Sequence, residues 1–236
     1  MPSALAPPSS RFSRASTNRL TAHDLARFPG RSLFDALGRA VCAAGCLPRK
    51  ELYEAWELAR RVRRRFRGGR IVDLAGGHGL LAQTLLLLDD SSPTAIVVDR
   101  AIPLSAAALH DALAAAWPRL RGRVEFIAAD LDGVEIGPAD LVVSCHACGA
   151  LTDRVLTQAV HGRARVAVLP CCHDARTAAA AACSGWLDPA LAIDAARAHA
   201  LEAHGYRVWT QTIPAEITPK NRVLLGEPRP AAVLGR

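Results

Sequence analysis

The sequence predicts an α/β chain built on a doubly wound, mostly parallel seven-stranded sheet that ends in an antiparallel hairpin. Three observations carry that expectation. From Arg70 onward, short apolar runs alternate with longer segments of helical period. Most of the runs are apolar along much of their length, as in parallel strands covered on both faces. The last two, "RVWTQTIP" and "NRVLLGEP", lie too close together for a helical crossover and must pair antiparallel.

Taken in order, residues 1–24 open with "MPSALAPPSSRFSRASTNRL", rich in Pro, Ser and Arg and free of acids. Such a segment buries too little apolar surface to offset its ordering, so it is expected to be a disordered extension, with an organelle transit peptide as the competing reading. Residues 25–68 read as helices: "SLFDALGRAVCAAGC" is apolar at helical spacing, and Pro48 then admits a second helix with Leu52, Trp56, Leu58 and Val62 as its buried stripe. Arg60, Arg61, Arg63, Arg64, Arg65 and Arg67 crowd the end of that helix. They suit either a solvated face complementing the helix dipole or a phosphate-contacting patch. Residues 69–230 hold the strands "RIVDLA", "TAIVVDR", "RVEFIAAD", "ADLVVSC" and "ARVAVLP" with their intervening helices, then the closing pair.

Composition narrows the class. A chain of 236 residues, 50% hydrophobic, can bury one sizeable core. No apolar run is long enough to span a membrane and no signal-peptide pattern opens the chain, so a soluble cytoplasmic protein is expected. Seven cysteines, an odd number with two adjacent, argue against a disulfide framework. The net charge of +7 gives modest weight to a polyanionic partner.

The turn after the first strand, "DLAGGHG", is the first candidate site. Gly77, Gly79 and Ala82 satisfy a dinucleotide-type fingerprint, and Asp99 ends the second strand where an acid would hold a ribose. Asp73 inside the first strand, Asp130 just past the third and the terminal hairpin favour S-adenosylmethionine over a nicotinamide cofactor. On this reading Asp73 organises the loop, Ala75, Gly77 and Gly79 let the backbone approach the ligand, Asp99 accepts from both ribose hydroxyls, Asp130 accepts from the adenine amino group, and Ser144 closes the fourth strand beside them. Asp130 as a simple cap is the alternative, and His78 reads as a packing residue.

The second candidate lies where the winding reverses, between the first and fourth strands. "SCHACG" ends the fourth strand and "PCCHD" the fifth, so Cys145, His146, Cys148, Cys171, Cys172 and His173 are expected to converge there. A zinc site from Cys145, Cys148, Cys171 and His173 has admissible ligands. However, only one segment carries the two-residue gap, and no metal is expected. Cysteine nucleophiles for pyrimidine carbon-5 methylation, or buried cysteines beside a histidine base, are the other readings.

The glycine string is similar to the first motif of class I methyltransferases, with Ala75 where that motif usually has glycine. His146, Cys148, Gly149, Thr152 and Asp153, together with Cys171, Cys172 and His173, form an H-x-C-G-x-x-T-D and C-C-H pair. That pair resembles the signature of a methyltransferase family that includes the eukaryotic tRNA ribose 2'-O-methyltransferase of the acceptor stem and methyltransferase-like relatives. The closing "ITPKNRVLLG" resembles their T-P-x-N-R element, and the resemblance covers roughly residues 50 to 228. Cys42 and Cys46 stand without partnering histidines, so the tRNA enzyme's amino-terminal zinc modules have no counterpart.

The expectation is therefore an S-adenosylmethionine-dependent methyltransferase acting on RNA, tRNA first, at an oxygen or nitrogen. Its catalytic candidates are His146 as general base, Asp153 or the C-C-H segment that ends in His173 orienting it, and Cys148 and Cys171 shaping the pocket. A small-molecule acceptor is the alternative, followed by a nicotinamide-dependent oxidoreductase or a non-catalytic binding protein.

Overall fold

The computed structural model describes residues 12–230. Two helices precede the sheet: α1 (Leu33–Ala44) and α2 (Arg49–Arg65). The Ser32 side chain starts α1 by accepting from the Asp35 N–H, and Gly45, at φ 66°, ends it in the left-handed conformation that glycine adopts without strain. Next come β1 (Ile71–Leu74), α3 (Leu80–Leu88), β2 (Ala95–Asp99), α4 (Ser105–Ala116), β3 (Val124–Ala128), β4 (Leu141–Ser144), α5 (Ala150–His161) and β5 (Arg165–Val168). A short α6 (Ala178–Ala182), α7 (Pro189–Ala203), β6 (Tyr206–Thr212) and β7 (Arg222–Pro228) complete the fold.

The sheet order is β3-β2-β1-β4-β5-β7-β6. β1 pairs in parallel with both β2 and β4, which places the reversal of winding between β1 and β4 as expected. β7 is antiparallel to β5 on one side and to β6 on the other. All four residues of β1 and of β4 are buried, because helices cover both faces. Successive residues feed opposite cores: Ile71 and Val143 pack with α1 to α4, whereas Val72, Leu74 and Val142 pack with α5 and α7. The predicted α2 stripe forms, with Leu52, Leu58 and Val62 fully buried and Trp56 packed against Phe34.

The expected extension, residues 1–24, divides. Residues 1–11 lie outside the described residues, while 12–24 are packed, contrary to the expectation of disorder. Leu20 is fully buried and its N–H donates to the Leu47 carbonyl, the Arg49 N–H donates to the Asn18 carbonyl, and the Arg49 guanidinium sits 3.6 Å from the Phe12 ring centroid. Two apolar anchors and a short backbone ladder hold a segment whose composition alone looked unable to fold.

Candidate active site

The loop from β1 to α3 and the ends of β2 and β4 form two small clefts that meet at Ala75. One is lined by Glu51, Asp73, Gly76, His78, Cys145 and His146; the other by Asp99, Arg100, Asp130, Leu131 and Leu151. Ala75 has φ 55°, a left-handed conformation that strains a residue with a Cβ, so the position that departs from the glycine motif is one where the backbone favours glycine. At Gly79, φ 70°, a Cβ would come within 2.8 Å of Val97 Cγ2. At Gly77, φ 51°, a Cβ would meet nothing within 4 Å, leaving the backbone open to a ligand. Asp99 accepts the Gly77 N–H at 3.1 Å and so fixes that turn. His78 Nε2 lies 2.8 Å from Ser105 Oγ, which tethers the ring at the edge of the first cleft.

The floor of the first cleft is acidic. Asp73, 1% exposed, accepts the Ala82 N–H through Oδ2 at 3.2 Å, while its Oδ1 has no hydrogen-bond partner among the described residues. Burial pushes its pKa up to about 7, against the Ala82 N–H and with help from Asp99. The sequence reading missed two further acids, Glu51 and Glu54, which the amino-terminal half of α2 brings over the end of β4. Burial, then Glu54, raises Glu51 to about 6. Glu54 is 2% exposed, is raised by burial, pairs with Lys50 at 3.3 Å and leaves Oε2 unpartnered among the described residues. Its carboxylate lies within 4.8 Å of donor atoms of Cys145 and His146. His146 keeps a solvent-facing edge, yet burial and then Lys50 lower its pKa to about 4, so the ring is neutral at physiological pH. Ser144, at the end of β4, has a buried hydroxyl also without a partner among the described residues.

Raised carboxyl pKa values carry a stability consequence. A group at about 7 folded and near 4 unfolded stabilises fully below pH 4, and that contribution is lost as pH rises through 7. Asp73→Asn is expected to remove this slope, so its stability relative to wild type should grow by a few kcal/mol between pH 4.5 and 7.5, at about 1.4 kcal/mol per pKa unit. Urea unfolding across that range checks it, and parallel curves would show that Asp73 ionises normally.

Several residues expected to act on His146 are placed elsewhere by the fold. Asp153 does not orient His146: its carboxylate takes Arg197 Nε at 2.7 Å and Nη2 at 3.1 Å. His173 is likewise turned away, its Nε2 lying 2.7 Å from Asp194 Oδ1. Asp194 also accepts from Arg197 and from Arg222 Nε at 2.7 Å. The zinc set of Cys145, Cys148, Cys171 and His173 is therefore not assembled. Cys148, Cys171 and Cys172 do gather, with Lys220 Nζ 3.8 Å from Cys172 Sγ. The loop 213–221 meets the site along its length, since Thr218 lies beside Glu54, Lys220 beside Cys172 and, just past it, Arg222 on Asp194. Asp130 serves as a cap, accepting the Leu131 N–H, and pairs with Arg100 and Arg154; it nonetheless lines the second cleft.

The arginine run is mostly occupied. Arg61 pairs with Glu57 and donates to the Thr212 carbonyl, Arg63 is buried on the Leu85 carbonyl and Ser92, Arg65 stacks 4.2 Å over Trp209, and Arg67 pairs with Asp89. Arg64 and Arg65 also lie roughly 14 Å of helix rise beyond Ala55, which faces the cleft. Arg61, Arg63 and Arg67 are thus tied to the protein's own acceptors and Arg65 to Trp209, which takes these four out of a phosphate-contacting patch.

A sheet wound in this order, with a glycine turn after β1 and carboxylates at the ends of β1 and β2, defines the class I methyltransferase architecture. A family model described as a methyltransferase domain matches residues 50–178, more than half of the chain, and the chain belongs to that family. It is an S-adenosylmethionine-dependent methyltransferase, membership implying that methyl donor. No curated protein matches the chain. Among solved structures, the Bacillus subtilis M1A22 tRNA methyltransferase TrmK is similar at 17% identity and a TM-score of 0.51, over 73% of this chain and 66% of that one. A putative RNA methyltransferase from Pyrococcus horikoshii gives 17%, 0.46, 77% and 84%, and an O-methyltransferase family protein from Burkholderia thailandensis gives 19%, 0.47, 87% and 67%. At such identities the likeness is one of fold, and the chain spans just under two thirds of TrmK. No helix among the described residues is long and apolar enough to cross a membrane.

The cofactor fits what these clefts offer. Its ammonium and sulfonium are cationic, and the first cleft presents the buried, incompletely bonded Asp73 carboxylate and the Glu51 carboxylate beside an open glycine turn.

Proposed function

We propose that this enzyme methylates RNA in the cytoplasm, tRNA first among RNAs, at an oxygen or nitrogen atom, as the H-x-C-G-x-x-T-D and C-C-H resemblance suggests. The observation that carries the acceptor class is the cationic rim of the cleft. Arg19 stands near His78, Lys50 near His146 and Lys220 beside Cys172. Arg19 and Lys50, the latter shared with Glu54, flank the first cleft and Lys220 stands at the neighbouring cysteine loop, a spread of cations that suits a polyanion presenting a single group from outside. S-adenosylmethionine supplies an electrophilic methyl group. Asp99 would hold the ribose hydroxyls, Asp130 and Leu131 the adenine, and Asp73 with Ala75, Gly77, Gly79 and Ser144 the region between the strands. Neutral His146 would accept the proton that leaves the acceptor hydroxyl or ring nitrogen, with Glu54 placed to stabilise the resulting imidazolium.

Two measurements test this. Asp99→Ala should weaken S-adenosylhomocysteine binding by about 1.5 to 3 kcal/mol, through loss of charge-assisted bonds and of the anchor for Gly77. Unchanged affinity by calorimetry would reject the assignment. Tritiated methyl groups should enter bulk RNA, and Arg19→Ala with Lys220→Ala should flatten the salt dependence of RNA binding by roughly two units of slope. By contrast, alanine at Arg61, Arg64 and Arg65 should leave that slope nearly unchanged. Label confined to a small-molecule extract would instead favour a metabolite acceptor. That reading has one observation of its own, a cavity of about 470 Å³ between α7 and the β6 and β7 strands, reached by Asp194 and Arg222.

A further inference from the structure

We infer that Cys148, Cys171 and Cys172 form a binding site for one thiophilic divalent cation of the zinc class. The expectation of no metal weighed a ligand set that the fold separates, whereas the set that it gathers consists of three thiols. Cys148 comes from the loop after β4, Cys171 and Cys172 from the loop after β5, and their sulfurs all lie within 4.8 Å of one another. Such a site would stand whether the methyl acceptor is RNA or a metabolite.

Geometry and charge both suit such an ion. A tetrahedral site with metal–sulfur bonds of about 2.3 Å has sulfur–sulfur edges of roughly 3.8 Å. Cys171 and Cys172 stand at 3.8 Å, while Cys148 and Cys171, at 2.9 Å, would open by about 1 Å. The Gly149 N–H donates to the Cys172 carbonyl at 3.1 Å, so a backbone bond already holds the two loops together, and an ion would not have to close the site from a distance. Three thiolates around a divalent ion leave one negative charge, which the Lys220 ammonium, 3.8 Å from Cys172 Sγ, balances. The three cysteines would bind as thiolates, giving up their thiol protons to solvent as the ion enters. Binding therefore releases protons and tightens as pH rises.

Among the described residues no fourth protein donor is at hand. His173 is engaged by Asp194, and Cys145 belongs to the buried group with Glu54 and His146. With Cys148 and Cys172 exposed, the fourth position opens to solvent, as in exchangeable or catalytic sites and unlike closed structural ones. The ion would clasp the loops that end β4 and β5, one of which carries His146.

The test uses the full chain, reduced and stripped with a chelator, then titrated with cadmium and with zinc. One equivalent of cadmium should produce thiolate-to-metal charge-transfer absorption. Cys148→Ser, Cys171→Ser and Cys172→Ser should each weaken zinc binding about a hundredfold or more, while Cys183→Ser and Cys145→Ser leave it unchanged. Thermal unfolding identifies any variant that fails to fold. In that event, zinc protection of these three thiols from alkylation in the wild-type chain, mapped by mass spectrometry, gives the same answer. Absence of the absorption, loss of binding in Cys145→Ser, or a Cys148–Cys171 disulfide that persists after reduction would overturn the proposal.

Discussion

Arg197→Ala is expected to destabilise the protein by about 3 kcal/mol. Arg197, on α7, is 5% exposed and its guanidinium is held on three sides: Asp153 takes two hydrogen bonds, Asp194 one at 3.2 Å and the Gly149 carbonyl one at 2.9 Å. Removing it strips the Gly149 carbonyl and leaves Asp194, 11% exposed, beside His173 and Arg222 alone. Breaking a buried ion pair from one side typically costs about 3 to 5 kcal/mol. The lower end applies because Asp194 keeps Arg222 and because Asp153, 54% exposed, can rehydrate. Urea unfolding should show a lower midpoint with an unchanged slope. A loss below about 1 kcal/mol would mean that the network contributes little beyond surface pairing.

His146→Ala is expected to lower kcat by about 10² to 10⁴, the range for a lost general base, while S-adenosylhomocysteine binding changes by less than about threefold. That outcome rests on the proposed proton transfer and has a second readout. Because burial holds His146 near pKa 4, the wild-type rate should fall through an inflection near pH 4, distinct from those of Glu51 near 6 and Asp73 near 7, and only that acid inflection should be lost in the alanine variant. Activity within about threefold of wild type in the alanine variant would remove His146 from the chemistry and leave it as a wall of the cleft.

The strands and most helices were legible because apolar runs and helical period are local signals, and the glycine turn after β1 because its spacing is local too. What the sequence hid was set by distant partners. Asp153 and His173 looked like neighbours of His146, but their partners Arg197 and Asp194 lie 44 and 21 residues away on α7. Glu54 was overlooked in an arginine-rich helix, although Glu51, Ala55, Leu58 and Val62 share one helical face with it or border it, which signals a carboxylate facing inward. The arginine run misled for the opposite reason: Arg63 is buried at 5% and holds the Leu85 carbonyl and Ser92, a role that composition cannot distinguish from solvation.

The seating of β7 between β5 and β6 governs the order in which the chain can be completed as it leaves the ribosome. Among the described strands β6 has β7 as its sole sheet neighbour, and β5 also relies on β7 along its outer side. Until residues 222–228 emerge, β5 therefore presents a bare edge and β6 has nothing to pair with, so one flank of the sheet stays open to misassociation from the making of β5 until that of β7. Because β5 and β7 join segments far apart in sequence, closure is also late on kinetic grounds, and chaperone dependence should be concentrated in that final interval.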